Sequence, residues 1–295
     1  VLKVESLKVA SFDVDHLDLF WSLTSSVDDV IEEHDFYVLR SVDGAAGPYA
    51  QIGGPFYNTY LFRDPDVHLL HKWRTYFYRI KTVHRPSGDE VLSQPARLEA
   101  KPDLIALEVI RRESLVLREY NGRWVALFPR LTFGQRCRHC WDSGPRDNTI
   151  GRSVNQNCMT CFDTTFVVGY AQPMRVLMQI DPSPKSTQKT TTGDQLPVLT
   201  TARATAFPPL KPQDMVVEAE NTRWCIESVT PTQKLRHTVR QELKLSEYDR
   251  DDIKYKVPVK LDPADEFSPS RAFTRPMSLQ EEQEEKPHTW LGSES

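Results

Sequence analysis

The chain has no apolar run approaching the roughly 20 residues that a membrane-spanning helix requires, so a soluble protein is expected. Residues 1–6, Val-Leu-Lys-Val-Glu-Ser, alternate like a strand and lack the basic flank, apolar centre and small-residue cleavage site of a secretory leader, so secretion is not expected. Cysteine is scarce. There are five, four of them in two close pairs, which gives no even-numbered disulfide framework and points to synthesis in a reducing cytosol. Gly-rich phosphate loops, a His-Glu-x-x-His helix and a Gly-x-Ser-x-Gly elbow are all absent, so no enzyme chemistry is expected. A basic excess is missing as well. Residues 262–295 hold eight acidic and three basic side chains, a net of −5 against −4 for the whole chain, which leaves +1 on the remainder. A near-neutral body argues against wholesale nucleic-acid binding.

What is present is a pair of cysteine knuckles, Cys137-Arg138-His139-Cys140 and Cys158-Met159-Thr160-Cys161, with seventeen residues between them. Two residues between paired cysteines let a tight turn aim both sulfurs at one point, and a second such turn completes a tetrahedron around zinc. Two disulfides or a redox Cys-x-x-C would want a secreted cysteine-rich chain or a thioredoxin-like βαβ setting, and neither surrounds these residues. Cys137, Cys140, Cys158 and Cys161 are therefore the expected ligands of a structural Zn2+. Four thiolates leave no position for a water or substrate, so such a site staples and does not catalyse. Residues 141–148 between the knuckles are turn formers with little apolar material, and the metal would supply the stability they lack. His139 reads as a solvated side chain outside the ligand set, and Cys225 as a small buried apolar residue. Asp13, Asp15 and Asp18 have a calcium-loop look but no glycine at the turn, and read as a solvated face. Arg130, Arg136, Arg138, Arg146 and Arg152 outnumber the acids around the knuckles and form a weak basic patch.

The expected fold class is mainly β. Residues 1–101 carry short alternating segments at 2–9, 17–23, 36–41, 60–62, 74–83 and 94–99, separated by Gly and Pro at turn positions that include Gly53, Gly54 and Pro55. Regular short strands of this kind imply a β-sandwich. Tyr60-Leu61-Phe62-Arg63-Asp64, then Leu69-Leu70, then Thr75-Tyr76-Phe77-Tyr78-Arg79-Ile80 resemble the fibronectin type III pattern of a strand-closing aspartate, a corner leucine and a tyrosine corner. The resemblance makes Trp21 the family's buried tryptophan and Tyr37 the aromatic of the next strand. His71-Lys72-Trp73-Arg74 departs from it where a Pro-Gly turn is common.

Residues 102–261 read as a helix capped by Asp103 and ended by Asn121-Gly122, followed by a small β-barrel into which a zinc ribbon is inserted at about 134–170. Its strands are expected at 123–128, 164–170, 174–180, 196–204, 214–219, 223–229 and 235–245, with Glu220-Asn221 and Pro231 as separating turns and a long polar loop at 181–195. Residues 262–295, rich in Pro and Glu, read as an extended acidic tail without a core of its own.

From the helix onward, Gly134-Gln135-Arg136-Cys137-x-x-Cys140-Trp141-Asp142, Cys158-x-x-Cys161-Phe162, Gly169-Tyr170, Pro173 and Ile253-Lys254-Tyr255-Lys256-Val257-Pro258 resemble minor virion proteins at the head-to-tail neck of tailed bacteriophages. The resemblance implies a ring-forming structural protein of the virion, assembled in the host cytoplasm. It would dock on other virion proteins, with no membrane and at most passing or weak contact with nucleic acid. The alternative reading is a zinc-ribbon nucleic-acid-binding protein using the arginines near the knuckles. A third, an accessory to an enzyme, follows from the company that fibronectin type III modules keep.

Overall fold

The computed structural model describes residues 2–13, 15–26, 28–67, 75–98, 103–140, 157–181, 199–234 and 237–259. The polar loop from residue 182, the corner leucines Leu69 and Leu70, Arg146, Arg152 and the acidic stretch 262–295 lie outside them.

Two antiparallel sheets form the first unit. One holds β1 (Val4–Ala10), β2 (Leu17–Leu23) and β5 (Leu61–Asp64) in the order β1-β2-β5. The other holds β4 (Ala50–Phe56), β3 (His34–Ser41), β6 (Phe77–His84) and β7 (Glu90–Leu92) in that order, with β8 (Ala96–Arg97) also on β6. Alternation decides what is inside: Leu17, Leu19, Trp21 and Leu23 from β2 meet Phe36 and Val38 from β3 and Tyr78 and Ile80 from β6 in one buried core. Trp21 is buried as the resemblance implies, whereas Tyr37 faces outward beneath the Lys81 ammonium, 5.1 Å from its ring, and Phe36 takes the interior place. Asp64 at the end of β5 is buried, accepting two bonds from Arg40 Nη1 at 2.9 and 2.8 Å and one from the Tyr78 hydroxyl at 2.9 Å. Burial and this carboxylate push the Tyr78 phenol far up, so it remains a donor.

Two strands, β4 and β7, escape the sequence reading. Gly53, Gly54 and Pro55, taken as turn punctuation, lie inside β4 at the sheet edge, where a Cβ on Gly54 would stand 2.7 Å from the Phe36 carbonyl oxygen. Glycine admits that close approach, and an edge strand tolerates the proline.

The second unit begins with α1 (Leu104–Val116), whose first turn is closed by the Asp103 carboxylate accepting from the Ile105 N–H at 2.7 Å. A π-helical turn, Leu117–Asn121, ends it. Six strands then close a barrel: β9 (Arg123–Phe128), β10 (Met174–Ile180), β11 (Leu199–Thr205), β12 (Met215–Val217), β13 (Arg223–Lys234) and β14 (His237–Glu247), in the order β10-β11-β14-β13-β12-β9. Val125, Leu127, Val176, Met178, Ile226, Leu243 and Leu245 fill it. The helix seals one side, Leu107 and Ile110 packing on Ala206 and Val239 while Glu113 pairs with Arg203 and Arg240. Pro231 does not separate strands as expected; it lies within β13 opposite Gln241. β12 pairs only with residues 223–225, so among the described residues β13 has no partner on that side at Pro231, where a missing N–H costs nothing.

The two units share packing across residue 101. Leu131, Phe166 and Ala171 belong to the sandwich core, while Leu61 enters the barrel core and Phe20 packs against it. Hydrogen bonds run the same way: Ser26 N to Gly134 O at 3.0 Å, Arg136 N to Ser26 O at 2.7 Å, and Asn58 Nδ2 to Tyr170 O at 2.9 Å.

Candidate metal centre

The first knuckle leaves the bridge between Ser26 and Gln135 and turns at Cys137–Cys140, closed by the Cys140 N–H on the Cys137 carbonyl at 3.2 Å. The second is wound tighter. The Asp163 carboxylate accepts from the Cys158 N–H at 3.0 Å and the Asn157 N–H at 3.3 Å, and Phe162 N donates to the Cys158 carbonyl at 2.8 Å. Thr164 binds the Cys161 carbonyl through both its N–H and its hydroxyl, at 2.9 and 2.7 Å. Cys137 N donates to Thr165 O at 2.9 Å, and Arg136 bridges Phe166, so the knuckles are laced together through the backbone.

This lacing replaces the strand expected at 164–170. The segment is a run of turns with only isolated bridges at Phe166 and Tyr170, because Thr165, Val168 and Gly169 hold φ of 70°, 69° and 75°. Left-handed backbone suits glycine at 169, where a Cβ would sit 2.6 Å from the Cys161 carbonyl oxygen. For the β-branched Thr165 and Val168 it is strained, at about 1–3 kcal/mol each, and persists only where surroundings over-determine it. Asn157, Phe162 and Asp163 are left-handed too.

Four sulfurs converge at the centre of this strained loop. The Sγ atoms of Cys137, Cys140, Cys158 and Cys161 all lie within 4.8 Å of one another, with Cys137 and Cys158 3.9 Å apart, and all are free thiols. Thiolates bound about 2.3 Å from a tetrahedral zinc stand about 3.8 Å from each other, so the spacing fits one soft cation and exceeds the ~2.05 Å of a disulfide. Cys137, Cys140 and Cys161 are buried and Cys158 is half-buried. Burial works to raise the Cys158 thiol, but hydrogen bonds from the Cys140 thiol and from backbone N–H groups of Cys161 and Thr160 outweigh it and bring the pKa down to about 6. Burial pushes the Cys161 thiol up, and the neighbouring thiols add to the rise. One negative charge is thus easily formed among the four, and a divalent cation is what would let the rest ionise. These cysteines can hold a metal ion.

His139 is exposed and stands outside the cluster. Arg136 stacks over the Phe166 ring at 4.1 Å, half-buried and with its pKa pushed down by burial, and Arg130 donates through Nη2 to Thr164 O at 3.4 Å. Arg138 is exposed, 3.6 Å from Asp28. Asp18 is not part of an acidic loop. It is fully buried, bound by Arg63 at 2.7 Å with His16 at 3.4 Å. Cys225 is half-buried, its thiol raised by burial. Asp163 and Thr164, which position the second knuckle, escape the sequence reading, and Gly169 enters it only through the resemblance. A short polar side chain two residues after Cys161 was the one available signal for the first of them. No protein-family model matches the chain, and no curated protein is significantly similar to it.

Proposed function

We propose that this protein is a non-catalytic assembly component whose four cysteines hold a structural zinc. The observation that carries this reading is the convergence of four sulfurs at the seam between sandwich and barrel. Four thiolates use every position around a tetrahedral ion, leaving none for a reacting water, so the site's output is rigidity. A rigid seam fixes two surfaces relative to each other, which is what a docking protein needs. The expected setting is the virion of a tailed bacteriophage, as a ring-forming neck or head-to-tail component contacting other virion proteins. The fibronectin type III-like reading of the first unit draws support from its three-strand and five-strand sheets, the buried Trp21 and the bond from Tyr78 to Asp64. The nucleic-acid alternative is disfavoured by Arg130 and Arg136, whose side chains are engaged within the fold.

Native mass spectrometry of the metal-loaded chain, together with proteomics of purified phage particles, tests the proposal. A closed oligomer with one zinc per chain, and the same chain at fixed copy number in particles, is the expected result. A monomer at every concentration, absent from particles, would overturn it.

A further inference from the structure

A cleft of about 960 Å³ separates the outer face of the β1-β2-β5 sheet from the barrel, lined on one side by β1, β2 and β5 and on the other by residues 127–133, 171–174 and 208–214. Its floor is aromatic and proline-rich, with Phe20, Phe62, Phe133, Pro173, Pro208 and Pro209. Trp21 and Tyr60 also border the cleft, with their side chains in the sandwich core beside Leu19 and Phe36 and their polar atoms buried. The charges facing the cleft are uneven. Lys8 and Lys211 stand exposed on its rim, and Arg63 and Arg130 line it, the first of these paired with Asp18. Asp214 is the one carboxylate of the lining among the described residues, and it already accepts N–H bonds from Arg130 and Lys211 at 2.8 Å each.

A cationic rim over an aromatic, proline-rich floor fits an acidic extended peptide bearing proline. Its carboxylates would meet the lysines, and its prolines and aromatics the floor. Residues 262–295 of this chain have that chemistry: eight carboxylates against three cations, four prolines, and Phe267, Phe273 and Trp290. Their point of departure is close. Val257 packs with Phe128 and Met215, whose neighbours in sequence, Leu127, Pro129 and Asp214, line the cleft. We infer that this cleft is the binding site for the acidic segment 262–295 of the same chain. Intramolecular attachment raises the local concentration to the millimolar range, so weak individual contacts suffice.

Zero-length carbodiimide cross-linking of the full-length, metal-loaded protein, mixed equally from light and heavy isotope-labelled chains, tests this. The expected products join Lys8 or Lys211 to carboxylates among residues 262–285, in isotopically pure pairs. Mixed light–heavy products would place a second copy's segment in the cleft, and the absence of any such product would leave the segment elsewhere; either overturns the inference. Hydrogen exchange provides a second readout. Amides of 262–295 should be protected at least tenfold at low salt, and the surface variant K8E/K211E should abolish that protection while the barrel amides keep theirs. Protection unchanged in this variant would also contradict the inference.

Discussion

The sandwich and barrel cores differ from the cysteine loop in what holds them. In the cores, alternate strand positions supply leucine, valine, methionine and aromatics, and burial at about 25 cal/mol per Å² of apolar surface carries the fold. The described residues between Gly134 and Gly169 contribute few apolar side chains, and three of the best buried are themselves cysteines. Among the described residues the loop's order rests on backbone carbonyls and the Asp163 carboxylate wrapped around the knuckles, and a bound metal ion would link the four sulfurs. The difference teaches that a chain can build a rigid joint where it has no core to spend, provided that the joint is cross-linked. This joint is not peripheral, because Leu131 and Phe166 on its flanks help to fill the sandwich core.

The sharpest way to break the comparison is to remove a sulfur. C161S, or chelation, is expected to melt the loop outright, since structural zinc contributes roughly 10–16 kcal/mol of apparent binding energy that is folding energy. Because of the shared packing, the sandwich should lose stability as well, seen as a lowered first transition in calorimetry and faster exchange of β2 amides. An unchanged sandwich transition would show the joint to be separable. By contrast, F36A should cost about 3–5 kcal/mol through cavity formation in the sandwich while leaving metal stoichiometry intact wherever the protein remains folded.

Much of this contrast is legible in the sequence, for local reasons. Strands at Leu17–Leu23, Arg123–Phe128 and Met174–Ile180 follow from alternation, and the helix start follows from Asp103. All four cysteines are legible because knuckle geometry needs only two intervening residues. β4 is not, because Gly53 and Gly54 serve close approach to Phe62 and Phe36, which are distant in sequence. The turns at 164–170 read falsely as a strand: Phe166-Val167-Val168 has high β propensity, and the left-handed backbone is imposed by the knuckles. The bridge from Ser26 to Gln135 is long-range and leaves no local signal.

Smaller effects sharpen the picture. G169A should destabilise the loop by about 1–3 kcal/mol, through positive φ and the clash with the Cys161 carbonyl, and should weaken metal binding in a chelator competition while the barrel melt stays put. The smallest expected effect is one of pH. His34 is buried, its Nδ1–H donating to Val30 O at 2.8 Å while Nε2 accepts from Leu2 N at 3.3 Å, and burial, with help from His84, lowers its pKa below the usual value. A lowered folded-state pKa means that the unfolded chain binds the proton more readily. His34 therefore contributes fully above about pH 6.5 and loses its contribution as pH falls below that. H34Q should flatten the dependence of the urea midpoint between pH 7 and pH 5. An unchanged slope would assign it to other groups.

X-ray absorption at the zinc edge of the purified full-length protein, read beside its elemental content, bears most directly on the cross-linked joint. One zinc per chain in a shell of four sulfurs at about 2.3 Å is the result expected from the convergence of the four cysteines. A folded protein with no bound metal, or one whose metal is ringed by nitrogen and oxygen, would contradict it.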